Sequence, residues 1–391
     1  MIRYLTAGES HGKGLSIIID GVPANILISP EDINVMLGER QKGYGRGHRQ
    51  KIEKDKVEIL SGVRFGKTTG NPIGIFIKNN DFENWKGMMS VEPWAGQVKE
   101  YSVPRPGHAD LTGGIKYRQK DLRNILERAS ARETAARVVA GAIAKKVLKS
   151  FKIEVLGFVT SIGGIGTATV EGLDINKITT MIAATEKKYS ADLRYPGKNV
   201  EQIMALIDKT KKEGDTLGGT ITVLTSPLPP GLGSYTQWDK KLDAKLAMAL
   251  MSIQAFKGVA FGAGFAYAGK TGSEMHDEIY YAQKQGFFRK TNNAGGVEGG
   301  MTNGNPISVS AVMKPISTVM KGLSSADIKT KKPVKTVYER SDICAVPAAA
   351  LVAEAVVAVE ILAAMQEKFG GDELNEMKLN YENYLKYVAN Y

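Results

Sequence analysis

The chain has 391 residues, 43% of them hydrophobic, and its 52 lysines and arginines outnumber 41 aspartates and glutamates to leave a net charge of +11. A single cysteine, Cys344, excludes an internal disulfide and a thiolate metal cluster, and no run approaches the ~18 uncharged apolar residues that a membrane helix needs. The opening MIRYLTAGES lacks an apolar stretch with a small-residue cleavage site, so the expectation is a soluble, cytoplasmic protein whose positive charge suits nucleic acid, an anionic surface or small anionic ligands.

In chain order, RYLTAGE and LSIIIDGVP read as two strands around a glycine loop, GESHGKG. SPEDINVMLGERQ then starts a helix, with Ser29 as N-cap, Pro30 at the first helical position and two acids in the first turn. That helix delivers Arg40 to a loop carrying Arg46, His48 and Arg49. Glycine spacing between those arginines suits a compact polyanion in a pocket better than a duplex backbone, because glycine lets the main chain approach the ligand. VEILSGV and NPIGIFIKN alternate as an antiparallel pair. A long loop over 80–112 contains VPRPGHADLTGG, and KDLRNILERAS and ARETAARVVAGAIAKKVLKSF read as helices.

IEVLGFVTSIGGIGTATV returns to strand, followed by helices over DINKITTMIAATEKKY and NVEQIMALIDKTKKEGD, the strand GGTITVLTSPL, the helix KKLDAKLAMALMSIQAF and the strand GVAFGAGFAYAG. After a glycine-rich loop at 292–305 comes the strand PISVSAVMKPI. AVPAAALVAEAVVAVEILAAMQEKF is apolar nearly all round, which predicts a buried helix with Pro347 near its start. The whole predicts one integrated α+β domain over 1–391, with strands and helices in layers. The similar style of the two halves allows an internal duplication.

Short motifs do not decide the function. GVRFGKTTG has three residues between Gly62 and Gly66 where a phosphate loop needs four, and GAGFAYAG puts Tyr267 where a dinucleotide fingerprint needs its third glycine. No histidines stand at i, i+4 or as His-x-His, so no metal site is expected. Three of the four histidines, His11, His48 and His108, sit in glycine loops, where an imidazole suits general acid work near neutral pH. His11 has Glu9 beside it and His108 has Asp110, whereas His276 in SEMHDE reads as solvated. RASARET places Arg128, Ser130 and Arg132 at a helix start, where amides, guanidiniums and a hydroxyl can hold phosphate and carboxylate groups. YERSDICAVP puts Arg340 and Asp342 before the buried helix, where Asp342 reads equally well as its N-cap.

Taken together, GESHG, RPGHADLTGGIKYRQKDLRNILERASARETAARV and RSDICAVPAAALVAEA, with SIQAFKGVAFG, NNAGGVEGGMTNGNPI and MKPIST in order before the last, resemble the chorismate synthase family over the full length. The resemblance implies a β-α-β sandwich, a homotetramer, and a lyase. It would convert 5-enolpyruvylshikimate 3-phosphate to chorismate by 1,4-anti elimination of phosphate and a ring hydrogen, dependent on reduced FMN with no net redox change. It further implies that His11 handles a proton on the reduced flavin, that His108 protonates the departing phosphate, and that Asp342 with flavin N5 receives the ring proton. Ser10, Arg40, Arg46, Arg49, Arg132 and Arg340 would hold the substrate. FMN would contact Arg128, Ala129, Ser130, Gln254, Ala255, Gly299, Lys314, Pro315, Ile316, Ser317, Thr318 and Arg340.

Members that use NADPH place it at Arg40 and Arg46, while many bacterial members take flavin reduced elsewhere, and both alternatives stay open. Where some relatives carry Arg-His-Asp-Pro, this chain has Arg340–Ser341–Asp342–Ile343, keeping arginine and aspartate without the histidine. Two other readings are an NADPH-dependent flavin reductase and a nucleic-acid-binding protein using residues 39–56. The expectation is a small-molecule substrate, with neither nucleic acid nor membrane as partner.

Overall fold

The computed structural model describes residues 1–47, 54–98, 100–166, 172, 174–283, 285–336 and 341–391. Each half of the chain builds a four-stranded antiparallel sheet. In the first, β1 (Arg3–Ala7), β2 (Gly14–Asp20), β3 (Val57–Ile59) and β4 (Ile73–Lys78) lie in the order β1-β2-β4-β3. In the second, β5 (Val155–Ile162), β6 (Gly219–Pro227), β7 (Phe256–Phe261) and β8 (Pro306–Met313) lie in the order β5-β6-β8-β7. The two sheets have the same strand order. Alternation decides which face is buried. Leu15, Ile17 and Ile19 of β2 stand opposite Ile77, Ile75 and Ile73 of β4 in the core, whereas Ile18 faces outward and is 53% exposed.

The helices used below are α1 (Pro30–Gln41), α2 (Asp110–Tyr117), α3 (Arg123–Ala129), α4 (Thr134–Lys149), α5 (Ile175–Tyr189), α6 (Val200–Lys212), α7 (Leu242–Met251), α8 (Val346–Phe369) and α9 (Leu374–Asn390). Helix α1 starts as predicted: the Ser29 hydroxyl accepts from the Asp32 amide, and the Asp32 carboxylate accepts from the Ser29 amide at 2.9 Å. Helices α4 and α8 pack together, α4 also against the first sheet and α8 against the second, with α1 and α7 beside them. The result is the predicted α+β body, a β-α-β sandwich. Gly141 makes the central helix contact possible, since a Cβ there would lie 2.3 Å from the Ala355 Cβ.

Against the expectation that no run approaches membrane length, helix α8 is long and apolar enough to cross a membrane despite Glu354 and Glu360, yet it is buried between the layers, as its all-round apolar sequence predicts. Its fully buried carboxylate, Glu354, is received by the Gly157 amide at 2.8 Å, by Arg194 at 2.7 Å and by Lys145. Burial pushes the Glu354 carboxyl up, and those partners more than offset it, so its pKa is lowered.

Two expectations are corrected. Helix α2 lies partly inside the stretch read as a loop, because Gly113 and Gly114 weaken its helical signature. Those glycines let α2 press on α3: a Cβ would come within 2.4 Å of Ile125 at the first and 2.5 Å of Leu122 at the second. GVAFGAGFAYAG is strand only as far as Phe261, and Gly264–Gly269 form a 3-10 turn.

Candidate active site

The GESHG loop links β1 to β2 and is drawn inward by main-chain bonds. Asn79, fully buried after β4, reaches the carbonyls of Glu9, Ser10 and Gly12 at 2.8–3.2 Å. The Ser10 amide donates to the Glu127 carbonyl at 3.0 Å, and the Ser130 hydroxyl donates to Ser10 Oγ at 3.2 Å. His11 therefore does not lie loose in a surface loop. Its Nδ1 is 2.9 and 3.0 Å from the two Glu127 oxygens, its amide donates to Glu127 Oε2 at 2.8 Å, and its ring stacks on Trp85 at 3.9 Å. The carboxylate partner is thus Glu127 of α3, not the neighbouring Glu9. Burial raises the Glu127 pKa, but the His11 contacts and Arg123, at 3.2 Å, hold it below the ordinary range.

Behind Ser10 lies a group of buried charges. Ile33, Leu37 and Arg40 share one face of α1, so the face that enters the core carries Arg40 with it. Arg40 donates to Thr134 Oγ1 and the Ala131 carbonyl at 3.0–3.1 Å and lies 3.7 Å from Asp55. Burial lowers its pKa to about 10. Arg132 donates to both Asp55 oxygens at 2.6 Å and to Asn79 Oδ1 at 3.0 Å. Its Nη2 is buried and has no hydrogen-bond partner among the described residues. Two guanidiniums thus share one carboxylate, which leaves a buried group with excess positive charge and an unmet donor, a combination that suits an anion.

Asp342 closes another side of this region. It does not cap α8, whose N-cap position is Ala345. Instead Oδ1 accepts from the Gly47 amide at 2.7 Å and Oδ2 pairs with Arg46 at 3.0 Å. Arg46 Nε is buried and has no hydrogen-bond partner among the described residues. The charges of Arg46 and Asp342 are felt at Arg40, after those of Asp55 and Arg132. The predicted residues His48, Arg49 and Arg340 lie outside the described residues.

His108 is held separately, at the start of α2. Its Nδ1 lies 2.5 Å from Asp110 Oδ1, and Arg105 donates to Asp110 Oδ2 at 2.8 Å and to Thr318 Oγ1 at 3.0 Å. Burial alone would raise the Asp110 pKa, but the His108 and Arg105 hydrogen bonds hold it well below the usual carboxylate range. Lys314 reaches the Gly107 carbonyl, and its amide donates to the Ala255 carbonyl at 2.9 Å, so the Ala255 and Lys314–Thr318 stretches lie alongside the His108 loop. Burial, then the charge of Lys257, lowers the Lys314 pKa.

The remaining flavin candidates are more dispersed. Arg128 donates to the Thr6 carbonyl at 2.8 Å and the Gly8 carbonyl at 3.1 Å. It lines a cleft of about 450 Å³ with Thr6, Glu133, Arg137 and Gln254, whose Oε1 is buried with no hydrogen-bond partner among the described residues. That volume falls within the ~300–1,000 Å³ usual for small-molecule sites. Ser130 serves the loop as well, accepting from the Arg132 amide at 3.2 Å, while Ala129 ends α3. Ile316 accepts from Thr216 through its carbonyl, and Pro315 and Ser317 lie in the same stretch. Gly299 sits in the turn of a two-stranded ribbon whose bonds run to Leu242 and Gly233.

Sequence reasoning missed Glu127, Trp85, Asn79, Asp55 and Arg105. ERAS and RPGHAD, which contain Glu127 and Arg105, were the available signals. Asn79, Trp85 and Asp55 carry none, because their partners lie far away in the chain.

Two buried guanidiniums on one carboxylate, an aspartate paired with Arg46, and two separately held imidazoles each tied at Nδ1 to a carboxylate are groups that suit an enzyme acting on a small molecule. Residues 2–366 match the chorismate synthase family. The chain is 53% identical to chorismate synthase of Geobacter sulfurreducens, with 99% of each covered, and 51% identical to that of Aquifex aeolicus, with 100% of this chain and 99% of the relative covered. A crystal structure of chorismate synthase superposes with a TM-score of 0.79 at 43% identity, covering 100% of this chain and 99% of that one. The chain belongs to the chorismate synthase family, which consists of carbon–oxygen lyases.

Proposed function

We propose that the protein converts 5-enolpyruvylshikimate 3-phosphate to chorismate in the cytoplasm, by 1,4-anti elimination of phosphate with reduced FMN and no net redox change, as a step of the shikimate pathway to aromatic amino acids. The observation that carries this reading is the buried pair Arg40 and Arg132 on the single carboxylate of Asp55, with Arg132 Nη2 unpaired among the described residues and Arg132 joined to the Ser10 loop through Asn79. An unmet buried donor costs about 1–3 kcal/mol, which an arriving anion offsets. Ser10, Arg40, Arg46 and Arg132, with Arg49 and Arg340, receive the phosphate and carboxylates of the substrate.

His108, tied at Nδ1 to Asp110, gives a proton to the departing phosphate, and its positive form offsets the charge that develops there. Asp342 is an acceptor already supported by the Gly47 amide and Arg46, and it takes the ring proton. His11 handles the proton associated with the flavin. Reduced FMN, when bound, supplies the electron that is lent to the substrate and recovered. Arg128, Ala129, Ser130, Gln254, Ala255, Gly299, Lys314 to Thr318 and Arg340 would hold it, and the unpaired Gln254 oxygen in the Arg128 cleft fits such a ligand.

Arg40 and Arg46 are turned inward on Asp55 and Asp342, which favours flavin reduced elsewhere over NADPH held at these two positions. A homotetramer belongs to the same reading. Leu5 and Ile18, paired across β1 and β2 and 73% and 53% exposed, give the first sheet an apolar outer face for a second copy.

The test is phosphate release from 5-enolpyruvylshikimate 3-phosphate under anaerobic conditions with reduced FMN. His108→Ala is expected to lose about 10²–10⁴-fold in kcat with substrate still bound. Unchanged turnover in the variant removes His108 from the chemistry, and absence of turnover in the unaltered protein overturns the reading.

A further inference from the structure

We propose that Glu127 is the positioning residue for His11, fixing the proton on Nδ1 and leaving Nε2 as the nitrogen that exchanges protons. The proposal rests on the assignment of His11 to proton handling. Glu127 grips the loop at three levels: its main-chain carbonyl takes the Ser10 amide, Oε2 takes the His11 amide, and both oxygens lie within 3.0 Å of His11 Nδ1. Its side chain is only 1% exposed, so the contact is not loosened by solvent. Glu127 and Trp85 hold the ring at its Nδ1 edge and on one face. One face lies on Trp85 at 3.9 Å, and Trp85 is fixed in turn by its indole N–H to Asp81 Oδ2 at 3.1 Å.

Arg123 completes the device, donating to Glu127 Oε1 at 3.2 Å with its guanidinium 5.1 Å from the Trp85 ring. A carboxylate that accepts from Nδ1–H sets the imidazole tautomer, as an outer partner does for a metal-bound histidine. Among the described residues, Asp81 stands behind Trp85, and Glu9 and Lys13 flank His11 on its own loop. A related arrangement stands at the other histidine, where Asp110 takes His108 Nδ1 and carries Arg105, whose Nη2 also lies 3.0 Å from that nitrogen. Two unrelated stretches of chain thus build arginine, carboxylate and imidazole in the same order.

Nitrogen-15 spectra of the whole protein, without flavin, read the tautomer directly. In the unaltered protein neutral His11 is expected to carry its proton on Nδ1, and in Glu127→Ala that population is expected to become the minor one. Glu127→Gln, which keeps the shape of the residue, is expected to lose about 10–100-fold in kcat with KM within about twofold, and Glu127→Asp to regain part of the loss. Retention of the Nδ1 tautomer in Glu127→Ala overturns the proposal, as does Glu127→Gln that changes KM alone. His11→Ala separates this from the underlying reading: full turnover there overturns the role of His11 and the proposal with it. An inactive His11→Ala beside an unmoved tautomer overturns the proposal alone.

Discussion

Replacing Asp55 by asparagine tests the anion site through its charge. Both Asp55 oxygens lie 2.6 Å from Arg132 Nη1, Arg40 Nη1 lies 3.7 Å from Oδ2, and the Asp55 side chain is 0% exposed. Asparagine keeps the shape and one acceptor, but it removes the negative charge between two buried guanidiniums and turns an amide NH₂ toward one of them. Breaking one side of a buried ion pair costs about 3–5 kcal/mol. That is a large share of a net stability of about 5–15 kcal/mol. The variant without ligand should therefore unfold at clearly lower urea. A bound polyanion restores negative charge to the pocket, and a ligand at a hundredfold excess over Kd adds about 2.7 kcal/mol. Because the variant presents an additional uncompensated positive charge, it should gain more than the unaltered protein, and the gap should narrow with 5-enolpyruvylshikimate 3-phosphate. Equilibrium urea unfolding with and without substrate measures both quantities. A variant as stable as the original without ligand, or a gap that substrate leaves unchanged, would refute the reasoning.

Asp342→Asn keeps the acceptor for the Gly47 amide but takes a ring proton far less readily, so kcat should fall by about 10²–10⁴ while KM stays within a few-fold. Initial rates over a range of substrate concentrations separate the two, and a change in KM alone would make Asp342 a binding group. Asp110 has a depressed folded pKa, so its contribution to stability is present above the ordinary carboxyl pKa of ~3.9 and is lost as pH falls below it. The stability difference between the original and Asp110→Asn, read from urea midpoints, should be flat above about pH 5 and shrink below about pH 4, and a difference growing toward acid would contradict the assignment. Gly141→Ala places a Cβ 2.3 Å from that of Ala355 and should cost about 1–3 kcal/mol by overpacking. Adding Ala355→Gly should return part of that loss, and independent, additive losses would show that the two helices do not meet there.

Much of the layered body was legible in the sequence because local rules and tertiary packing agree. Ser29 and Pro30 mark a helix start that needs no distant partner, and the alternating Leu15–Ile17–Ile19 stretch can bury only one face. Helix α2 was not legible. Gly113 and Gly114 are chosen for contact with Ile125 and Leu122, and that demand outweighs helix propensity. At the site, the residue types were readable but their partners were not. Asp55 has no local signal in the sequence, and it proves to be the shared carboxylate of Arg40 and Arg132. Glu9 was the carboxylate near His11 in sequence, whereas Glu127 is the one near it in space, 116 positions away. Asp342 satisfied the pattern of an N-cap, and only the fold shows its acceptor turned to Gly47. Capping follows from local order, while charge pairing across layers depends on which loops the sheets bring together.

The most direct test of the proposed reaction counts product against flavin. Protein, a limiting amount of pre-reduced FMN and excess 5-enolpyruvylshikimate 3-phosphate are mixed without oxygen or NADPH, and chorismate, phosphate and flavin absorbance are followed together. The account predicts many equivalents of chorismate per flavin, phosphate in equal amount, and flavin still reduced at the end. Product limited to one equivalent, or flavin oxidised in step with product, would contradict it.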